Sequence, residues 1–398
     1  MRVLQVTPYY APAWAYGGPP RVMSDFASGL AARGHEVDVL TTDVLDDERR
    51  ATPREELLDG VRVRRLPNLS NTLAWRTKKY LPRGLVRRLA VEAPRYDVVH
   101  VTDVRTYLTA AAFLATTARR TPLALSAHGS LPGSTGVRGK VKHLYDAALV
   151  RPMLRRAALL FAQTAHEAQL YEQFGGRPKS IVQLPLPLPP LDLEHAPPAG
   201  SFRESIGVTA QTPLLLFLGR VNRLKGLDVL IESVGPLLDA ETVLAVVGRD
   251  DGQLEELRSR FSSRFDDGAI RFAGPLYGSD RFAAYADADV FCLTPRHWEE
   301  TSVAALEAAA CGTPVVVTQQ SEIPGLGVSG GGFVVPFRKG EILAAVSAAL
   351  AGGAEMGARA RTHVLAQHGR DAVVAQLEER LLSLAPSGVS LSDHAADS

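Results

Sequence analysis

Two short apolar runs are separated by a segment of mostly small residues in Asp289-Val-Phe-Cys-Leu-Thr-Pro-Arg-His-Trp-Glu-Glu-Thr-Ser-Val-Ala-Ala-Leu-Glu-Ala-Ala-Ala-Cys-Gly-Thr-Pro-Val-Val-Val317. The beginning of this stretch is a short apolar run typical of a buried parallel strand, and Val315 to Val317 start a second one. Between them, the small and apolar residues from Ser302 to Ala310 predict a helix, which Gly312-Thr-Pro314 ends. A strand, a helix and a second parallel strand make a βαβ unit, so the sequence predicts an α/β fold with parallel sheets.

Two carboxylates, Glu299 and Glu307, stand on either side of the predicted start of this helix. A helix entered through Thr301 and Ser302 offers free backbone N–H groups and the positive end of its dipole, where an anion such as a diphosphate is stabilised. Carboxylates beside such a site suit sugar and ribose hydroxyls rather than phosphates. In the alternative, structural interpretation, Glu299 and Glu300 complement the helix dipole and Glu307 is a solvated helix residue.

A second segment offers cations at the end of a strand. The apolar run from Leu214 to Leu218 is typical of a parallel strand, and Gly219-Arg-Val-Asn-Arg-Leu-Lys-Gly226 follows it directly. An arginine fork at Arg220 and a point charge at Lys225 can offset the charge of a diphosphate without a metal ion. As an isolated pattern, the same cations are equally typical of a solvated surface.

Both segments resemble motifs of one family, the retaining glycosyltransferases of family 4 in the GT-B class. Glu299 and Glu307 match its Glu-x7-Glu signature, and Arg220 and Lys225 match the cations of its Gly-Arg and Lys-Gly element. The family signature usually begins Glu-Gly-Phe-Gly, whereas this chain reads Glu299-Glu-Thr-Ser302. The glycines that let the backbone approach the donor sugar are therefore missing here. The resemblance covers nearly the whole chain in order.

Two weaker matches lie in the first half of the chain. Gly17 and Gly18 follow a first predicted strand and resemble the family's glycine pair, which packs against the donor diphosphate. His128 follows the predicted strand from Pro122 to Ser126, at the carboxyl end where α/β proteins place ligand contacts, and similar histidines in the family face the donor sugar. The alternative interpretations are an ordinary turn for the glycines and a satisfied loop histidine for His128.

The resemblance implies an enzyme that moves a sugar from a UDP- or GDP-linked donor to an acceptor hydroxyl with retention of configuration. Arg220 and Lys225 would hold the diphosphate and stabilise the leaving group. Glu307 would bind ribose hydroxyls, while Glu299 and His128 would position the donor sugar. The family's front-face attack needs no enzymic nucleophile, because the leaving phosphate receives the acceptor proton. Further donor contacts would come from the backbone amides of Thr301, Ser302 and Val303.

No metal ion and no cofactor are expected. Asp287-Ala-Asp289 has the spacing of a metal site, but it leads straight into a predicted buried strand and matches an element that is structural in the family. No Gly-x-Gly-x-x-Gly follows the first strand and no Walker-type loop occurs, which argues against a dinucleotide oxidoreductase or a P-loop enzyme.

Strands and helices alternate along two halves of the chain. Strands are predicted at 2–6, 36–41, 61–66, 97–101, 122–126, 158–162 and 180–184, and then at 213–218, 242–247, 269–273, 289–293, 314–318 and 332–335. The proline-rich connection from Leu184 to Pro190 can be neither helix nor central strand and predicts a domain boundary.

The resemblance implies the GT-B fold, in which two Rossmann-like domains face a central cleft. We expect an acceptor-side domain at 1–190 and a donor domain at 200–384. The last helix, from Asp371 to Leu384, is expected to cross back to the first domain. The small and polar residues 385–398 are expected to form a disordered tail.

Composition agrees with a globular enzyme. A chain of 398 residues that is 46% apolar and 22% charged can build two sizeable cores. Cys292 and Cys311 stand in apolar surroundings, which excludes a disulfide framework and predicts a cytoplasmic protein. No apolar run approaches the roughly 18 residues that a membrane span needs, and the first residues lack the apolar core of a signal peptide.

The net charge of +1 hides an asymmetry, because residues 1–196 carry +9 and the remainder carries −8. Basic and apolar residues interleave in the positive half, which suits an anionic membrane surface or a phosphate-bearing acceptor; a solvated basic face is the alternative. We therefore expect a peripheral position on the inner face of the cell membrane. Two clusters carry this charge: Arg76, Lys78, Lys79, Arg83, Arg87 and Arg88, and then Arg138, Lys140, Lys142, Arg151, Arg155 and Arg156.

The expected acceptor is a sugar or a lipid-linked saccharide. The segment from His128-Gly-Ser-Leu-Pro-Gly133 through Lys142-His-Leu-Tyr-Asp146 is reminiscent of enzymes that build bacterial surface polysaccharides on lipid carriers. Nucleic acid is not an expected partner, because no binding motif is present and aromatic residues do not interleave with the basic ones.

Two other functional classes stay open at this point. A sugar-nucleotide epimerase of the same architecture would need no separate acceptor. A non-catalytic sugar-nucleotide-binding scaffold is suggested by the missing glycines at positions 300 and 302. The retained Arg220, Lys225, Glu299 and Glu307 favour an active enzyme of the hexosyltransferase type.

Overall fold

The computed structural model describes residues 1–131, 136–191, 193–238 and 242–384, and of residues 136–139 and 141 it describes the backbone alone. The chain forms two compact units. Unit 1 comprises Met1–Leu184 and the chain from Val373 onward, and unit 2 comprises Pro185–Ala372. The predicted disordered tail at 385–398 lies outside the described residues.

Unit 1 is built on an eight-stranded sheet. The strands are β1 (Arg2–Val6), β2 (Glu36–Thr42), β3 (Glu55–Leu58), β4 (Val61–Leu66), β5 (Val98–Thr102), β6 (Leu123–Ser126), β7 (Leu159–Ala162) and β8 (Ile181–Gln183). Their order across the sheet is β3-β4-β2-β1-β5-β6-β7-β8, and every pair is parallel except β3 with β4. The central strands are buried along nearly their whole length, as expected for a parallel sheet covered on both faces.

The helices of unit 1 connect these strands. They are α1 (Gly18–Ala32), α2 (Asn71–Thr77), α3 (Leu85–Glu92), α4 (Tyr107–Arg119), α5 (Gly136–Tyr145), α6 (Arg151–Arg156) and α7 (Ala165–Gln173). Side-chain caps fix several starts: the hydroxyl of Thr106 accepts from the Thr109 amide at α4, and that of Thr164 accepts from the Glu167 amide at α7.

The order of the unit 1 sheet brings three loops to one edge. Because β1 pairs with β5 and β5 with β6, all in parallel, the segments that follow these strands leave the sheet side by side. The Thr102 hydroxyl donates to that of Thr7 at 2.9 Å, and the Tyr9 hydroxyl donates to Asp103 at 3.3 Å. This edge carries the loop before Gly17 and the residue His128.

Unit 2 is built on a six-stranded parallel sheet. The strands are β9 (Leu214–Leu218), β10 (Val243–Val247), β11 (Ile270–Gly274), β12 (Val290–Leu293), β13 (Val315–Thr318) and β14 (Gly332–Val335), in the order β11-β10-β9-β12-β13-β14. The helices are α8 (Ser201–Ser205), α9 (Leu227–Val234), α10 (Leu254–Arg260), α11 (Ser262–Asp266), α12 (Asp280–Asp287), α13 (Val303–Ala310), α14 (Leu326–Ser329) and α15 (Lys339–His368). Since β9 pairs with β12, the loops after these two strands are neighbours.

The last helix, α16 (Arg370–Leu382), packs on unit 1. A Cβ atom added at Gly29 of α1 would lie 2.6 Å from a methyl carbon of Val374, so the two helices approach closely at this glycine. The Glu378 carboxylate accepts from Arg33 at 2.5 Å and bonds His35 Nε2 at 2.6 Å. Apolar contact and charge pairing thus both attach α16 to α1 and the turn that follows it.

In the part of the chain that the structure describes, one helical segment, Lys339–Leu382, is long and apolar enough to span a membrane by length and composition. The segment contains no continuous apolar run of the length that a span needs, in agreement with the sequence prediction, and qualifies by its average composition. The helix is interrupted at Gly353, whose φ of 45° and ψ of −144° are not helical, and Ile342, Val346 and Val364 are fully buried. Each continuous helical part is therefore shorter than the roughly 20 residues of a span, as in the core helix of a folded domain.

The predicted strands agree with the observed ones within one or two residues at each end, and the predicted α/β class is confirmed. The sequence missed β3, which pairs antiparallel at the sheet edge and has the charged residues Glu55 and Glu56 in place of an apolar run. Helix α1 begins at Gly18, and Pro19 and Pro20 fit its first turn.

Candidate active site

The loop after β9 presents Arg220 and Lys225, and Asn222 shapes it. The Asn222 side chain accepts from the amides of Leu224 and Lys225 at 3.1 and 3.3 Å, which closes a short helical turn. At its end, Gly226 adopts a φ of 65°, and an added Cβ would lie 2.0 Å from the Thr294 carbonyl oxygen. Only glycine satisfies both conditions, so this residue lets the loop approach the segment after β12.

Lys225 and Glu299 form an ion pair in this place. The Lys225 ammonium lies 2.7 Å from Glu299 Oε2, and both side chains are largely shielded from solvent. The Glu299 amide donates to the Gln320 carbonyl at 2.8 Å, which fixes the backbone that carries the carboxylate. The structure thus brings together two residues that the sequence placed in different motifs.

Arg220 has a different partner. Its guanidinium donates to Asp251 at 3.1 Å, an aspartate that also accepts from the Asn222 side chain at 2.9 Å. The Arg220 side chain is 64% exposed, so it is held at one end of the loop but is accessible. Asp251 was not singled out in the sequence, because nothing local shows that the turn after β10 adjoins the loop after β9.

The segment from Glu299 to Ser302 keeps part of the backbone geometry that glycine normally provides. Glu300 is buried and has a φ of 59°, the left-handed region that favours glycine. Glu300 thus stands where the family signature has its first glycine, and it keeps the backbone conformation that glycine favours. For a residue with a side chain, this conformation costs roughly 1–2 kcal/mol of folding free energy. Ser302 has a φ of −84°, so the second missing glycine leaves no such trace.

Helix α13 begins at Val303 with its first amides uncapped. Within the described chain, the Ser302 side chain makes no capping hydrogen bond, and the Thr301 hydroxyl donates instead to the Glu322 carbonyl at 2.9 Å. The start of this helix therefore keeps donors and a positive dipole end for an anion or a polar ligand.

Glu307 is not the solvated helix residue of the structural alternative. It is buried, and it accepts from Arg281 Nε at 3.0 Å, Arg281 Nη2 at 2.8 Å and the Tyr285 hydroxyl at 3.1 Å. Burial opposes the charge of Arg281, but the bonds and charge of Glu307 outweigh it and raise the pKa of this arginine. Burial, followed by the Glu307 charge, raises the pKa of Tyr285 well above its ordinary value.

His128 lies at the carboxyl edge of the unit 1 sheet with an unusual environment. Its φ is 47°, its Nδ1 lies 2.7 Å from the Gln163 side-chain nitrogen, and its Nε2 is shielded and has no hydrogen-bond partner within the described residues. Since the Gln163 amide donates to Nδ1, the ring proton belongs on Nε2. Burial lowers the pKa of His128 to about 4, so the ring is neutral at pH 7.

Gln163 and Glu167 support this histidine and were missed in the sequence. The Glu167 carboxylate accepts from the backbone amide of Gly129 at 2.8 Å and from the backbone amide of Gln163 at 2.9 Å. It therefore links the residue after His128 to the residue that follows β7. The only available signal was that Gln163 directly follows a predicted strand, at the same edge as His128.

Gly17 and Gly18 form the junction between the β1 loop and α1. Gly17 has a φ of 92°, and among the described residues no atom lies within 4 Å of an added Cβ. Gly18 is the first residue of the helix. The conformation at Gly17 favours glycine, while the space beside it stays open to a ligand.

Asp287 and Asp289 have structural partners. Asp287 accepts from the amides of Gly200, Phe202 and Arg203 at 2.6, 2.9 and 3.2 Å, and so caps the start of α8. Asp289 accepts from Arg203 at 2.8 Å and from the Leu214 amide at 2.7 Å. Across the four described ranges, no group of three or more His, Cys, Asp or Glu side chains is placed to share a metal ion.

Two family models match this chain. Residues 17–187 match the glycosyl transferase 4-like domain, and residues 212–352 match the glycosyl transferases group 1. A D-inositol 3-phosphate glycosyltransferase from Nocardiopsis dassonvillei is 33% identical over 338 residues, which cover 76% of this chain and 74% of the relative. The same name is carried by a relative from Actinosynnema mirum, 30% identical over 77% of each chain.

The chain belongs to glycosyltransferase family 4 of the GT-B class. Solved structures share the fold of this glycosyltransferase at low identity. HepE from Anabaena, in complex with UDP, has a TM-score of 0.72 at 18% identity, covering 96% of this chain and 100% of that one. Sucrose-phosphate synthase from Thermosynechococcus elongatus has a TM-score of 0.69 at 19% identity, covering 96% and 99%. The predicted family, fold and enzyme class are thereby confirmed.

The candidate residues of the glycosyltransferase divide between the two matched regions. Gly17, Gly18 and His128 lie in the first, and Arg220, Lys225 and the segment from Glu299 to Glu307 lie in the second. Their individual roles remain predictions from the resemblance. Within unit 2, Lys225 and Glu299 are in contact, whereas Arg220 and Glu307 each have another charged partner.

Proposed function

We propose that this glycosyltransferase moves a hexosyl group from a UDP- or GDP-linked sugar to an acceptor hydroxyl with retention of configuration. The observation that carries the proposal is the contact between Lys225 and Glu299 beside the uncapped start of α13. It places a cation, a carboxylate and free amide donors at the neighbouring carboxyl ends of β9 and β12. The HepE structures, whose complexes contain UDP, UDP and glucose, or UDP-glucose, add support for a nucleotide-sugar donor.

The diphosphate is assigned to Arg220 and Lys225. Arg220 is exposed and pairs with Asp251 near the surface, so its guanidinium can turn toward two phosphate oxygens at little cost in free energy. Lys225 is more shielded, and its charge therefore acts more strongly on a nearby anion. Together they stabilise the charge that develops on the leaving diphosphate, which is the electrostatic part of catalysis.

The sugar is assigned to Glu299 and the amides of Thr301, Ser302 and Val303, and the ribose to Glu307. A carboxylate accepts hydrogen bonds from sugar hydroxyls, and the backbone amides at a helix start donate to them. The sugar can therefore be bound by an acceptor and by donors at the same time. Glu299 is held by Lys225 and Glu307 by Arg281, which fixes each carboxylate before the donor arrives. Groups that are preorganised in this way stabilise the transition state, because they need not reorient during the reaction.

His128 is assigned a donor-sugar contact through Nε2. Its neutral ring offers an N–H there, because Gln163 occupies Nδ1. Retention is expected to follow front-face attack, in which the acceptor hydroxyl forms the new bond to the anomeric carbon as the bond to the diphosphate oxygen breaks. The acceptor proton then goes to the leaving phosphate, so no enzymic nucleophile and no metal ion are proposed.

The acceptor is assigned to unit 1. We expect it to be a sugar or a lipid-linked saccharide, and the enzyme to act in the assembly of surface polysaccharides or glycolipids. Around α3, Leu81, Val86 and Val91 are 37%, 55% and 56% exposed. Exposed cations lie near them in the sequence: Arg76, Lys79, Arg83 and Arg87. Arg88 differs, because it pairs with Glu55 and Glu92. Exposed apolar and basic residues interleaved in one segment of the chain support a peripheral position on an anionic, cytoplasmic membrane surface.

The first experiment measures donor binding by calorimetry with UDP, GDP, ADP and their common sugars. We expect one nucleotide to bind selectively and Arg220→Ala to weaken it by about tenfold or more, since a charge-assisted contact to phosphate is lost. Arg258→Ala, an exposed arginine on α10, should leave binding unchanged. Absence of binding by every nucleotide would refute the proposed donor site.

The second experiment measures transfer, with the selected sugar nucleotide and a panel of acceptors. The panel contains lipid-linked saccharides and, because of the names of the relatives, inositol phosphate. The anomeric configuration of the product is then read by NMR. An inverted product would contradict the proposed retention, and conversion of the donor sugar without transfer would indicate an epimerase.

A further inference from the structure

The carboxylate of Glu307 is occupied before any ligand binds. Oε2 accepts from Arg281 Nε and from the Tyr285 hydroxyl, and Oε1 accepts from Arg281 Nη2. An ionised carboxylate has about four acceptor positions, two on each oxygen. Three of the four are therefore taken, and the one that remains lies on Oε1.

Arg281 and Tyr285 form a rigid clamp. They stand four residues apart on α12 and therefore lie on the same face of that helix. Tyr285 is fully buried, and its backbone carbonyl accepts from the Thr313 hydroxyl at 2.5 Å. The Arg281 fork is held at its other end by the Gly278 carbonyl and lies over the Phe282 ring, with its centre 4.3 Å from the ring centroid. Neither donor can turn away from Glu307 without breaking other contacts.

A ribose offers two neighbouring hydroxyls, and an unencumbered carboxylate can accept from both. Since only one acceptor position of the Glu307 carboxylate is open, only one ribose hydroxyl can donate a well-aligned hydrogen bond to it. We propose that Arg281 is a positioning residue that aims Oε1 of Glu307 at a single ribose hydroxyl, so that the enzyme discriminates one hydroxyl of the nucleotide and not the other. This inference rests on the proposed function, in which Glu307 binds the ribose.

A purely structural ion pair between Arg281 and Glu307 would show the same burial and the same distances. It would not, however, affect which ribose hydroxyl binds. If Arg281 only stabilised unit 2, its replacement would change the melting temperature and leave the relative affinity for two closely related nucleotides untouched. A positioning role changes that ratio, because the orientation of the carboxylate decides which hydroxyl it meets. The ratio of affinities therefore separates the two roles.

The experiment is calorimetry on the full chain with the diphosphate nucleotide that binds, UDP or GDP, and with its 2′-deoxy and 3′-deoxy forms. For the natural protein, one deoxy form should bind about tenfold or more weaker than the parent, since a hydrogen bond to a charged group is lost. The other should bind within about threefold. Equal weakening by both deletions would overturn the single-hydroxyl assignment.

Three variants extend the test. Arg281→Gln should reduce the discrimination to about threefold or less, because the carboxylate loses its fork. Arg281→Lys keeps the charge and should recover affinity for the parent nucleotide more than it recovers discrimination. Tyr285→Phe frees an acceptor position on Oε2, so the second deoxy form should then also bind more weakly than the parent. Unchanged discrimination in Arg281→Gln would refute the positioning role.

The matched control is Arg359→Gln. Arg359 also bonds a glutamate and a glycine carbonyl in unit 2, those of Glu355 and Gly330, but has no place in the proposed site. Its discrimination should equal that of the natural protein. If the natural protein binds no nucleotide, the proposed function itself fails; if it binds and discriminates while Arg281→Gln does so equally, only the present inference fails.

Discussion

Lys225 Nζ lies 2.7 Å from Glu299 Oε2, so two residues that are assigned to different parts of the donor already neutralise each other in the free protein. The pair makes the carboxylate a fixed feature rather than a mobile one. It also means that removal of either partner changes the environment of the other, and that their contributions to catalysis are coupled.

Lys225→Met should lower kcat/KM by about 100- to 1,000-fold, because a cation is lost where the leaving group develops charge. Glu299→Gln should also lower it, and the double variant should lose less than the product of the two single losses. Steady-state kinetics on the four proteins measures this. Arg223→Met is the control in the same loop, since Arg223 is exposed and pairs with Glu256; it should stay within about twofold. Strict multiplicativity of the two losses would contradict the coupling.

His128→Ala should lower kcat by about 10- to 100-fold, as expected for loss of one positioned donor. Because burial lowers the pKa of His128 to about 4, the natural enzyme should show no inflection from this ring between pH 5 and 8. Gln163→Glu places a carboxylate against Nδ1, which favours the charged ring and should raise its pKa. A new inflection in the profile of kcat against pH should then appear. An identical profile for both proteins would argue against Gln163 as the partner that keeps the ring neutral.

The folded protein should lose stability in mild acid through its buried histidines. Burial lowers the pKa of His100 to about 3, below the value of roughly 6.5 in the unfolded chain, so only the unfolded chain takes up this proton on acidification. Stability should fall as pH drops from about 6.5 toward 3, by up to about 1.4 kcal/mol per pH unit for this group. Thermal melting at several pH values should give a flatter dependence for His100→Gln than for the natural chain. Equal slopes would contradict the assignment.

Gly226→Ala should destabilise unit 2 by about 2 kcal/mol or more. The added methyl group would lie 2.0 Å from the Thr294 carbonyl oxygen at a φ of 65°, so steric overlap and backbone strain add. Gly340→Ala is the control, because among the described residues nothing lies within 4 Å of its Cβ position in α15. It should be neutral or stabilising by up to about 1 kcal/mol. Urea unfolding measures both, and similar losses for the two variants would refute the argument.

The strand pattern was predictable because parallel strands are short, apolar and bounded by turn residues. The same logic failed for β3, whose Glu55 and Glu56 lie at an edge where burial imposes no apolar pattern. Motifs in the sequence single out Arg220, Lys225, Glu299 and Glu307 as candidates. Their hydrogen-bond and ion-pair partners could not be predicted from those motifs. Arg281 becomes relevant only when α12 packs beside α13, and Asp251 only when the turn after β10 meets the loop after β9.

The missing glycine at position 300 shows the limit of reading residue types. The sequence suggested that a backbone feature had been lost, yet Glu300 keeps a positive φ. Conformation at this position is set by the neighbouring segment, in which the Glu299 amide bonds the Gln320 carbonyl and the Thr301 hydroxyl bonds the Glu322 carbonyl. Contacts to residues about twenty positions away are not visible in a local motif.

Helix α16 gives unit 1 an unusual dependence on the order of synthesis. The face of α1 around Gly29 is covered by Val374, and the turn at Arg33 and His35 is paired with Glu378. During translation, Met1–Leu184 leaves the ribosome well before this helix, with the whole of Pro185–Ala372 made in between. The apolar strip on α1 therefore stays unprotected while the second unit folds, so a nascent chain stalled within α15 should be a good substrate for chaperones and proteases.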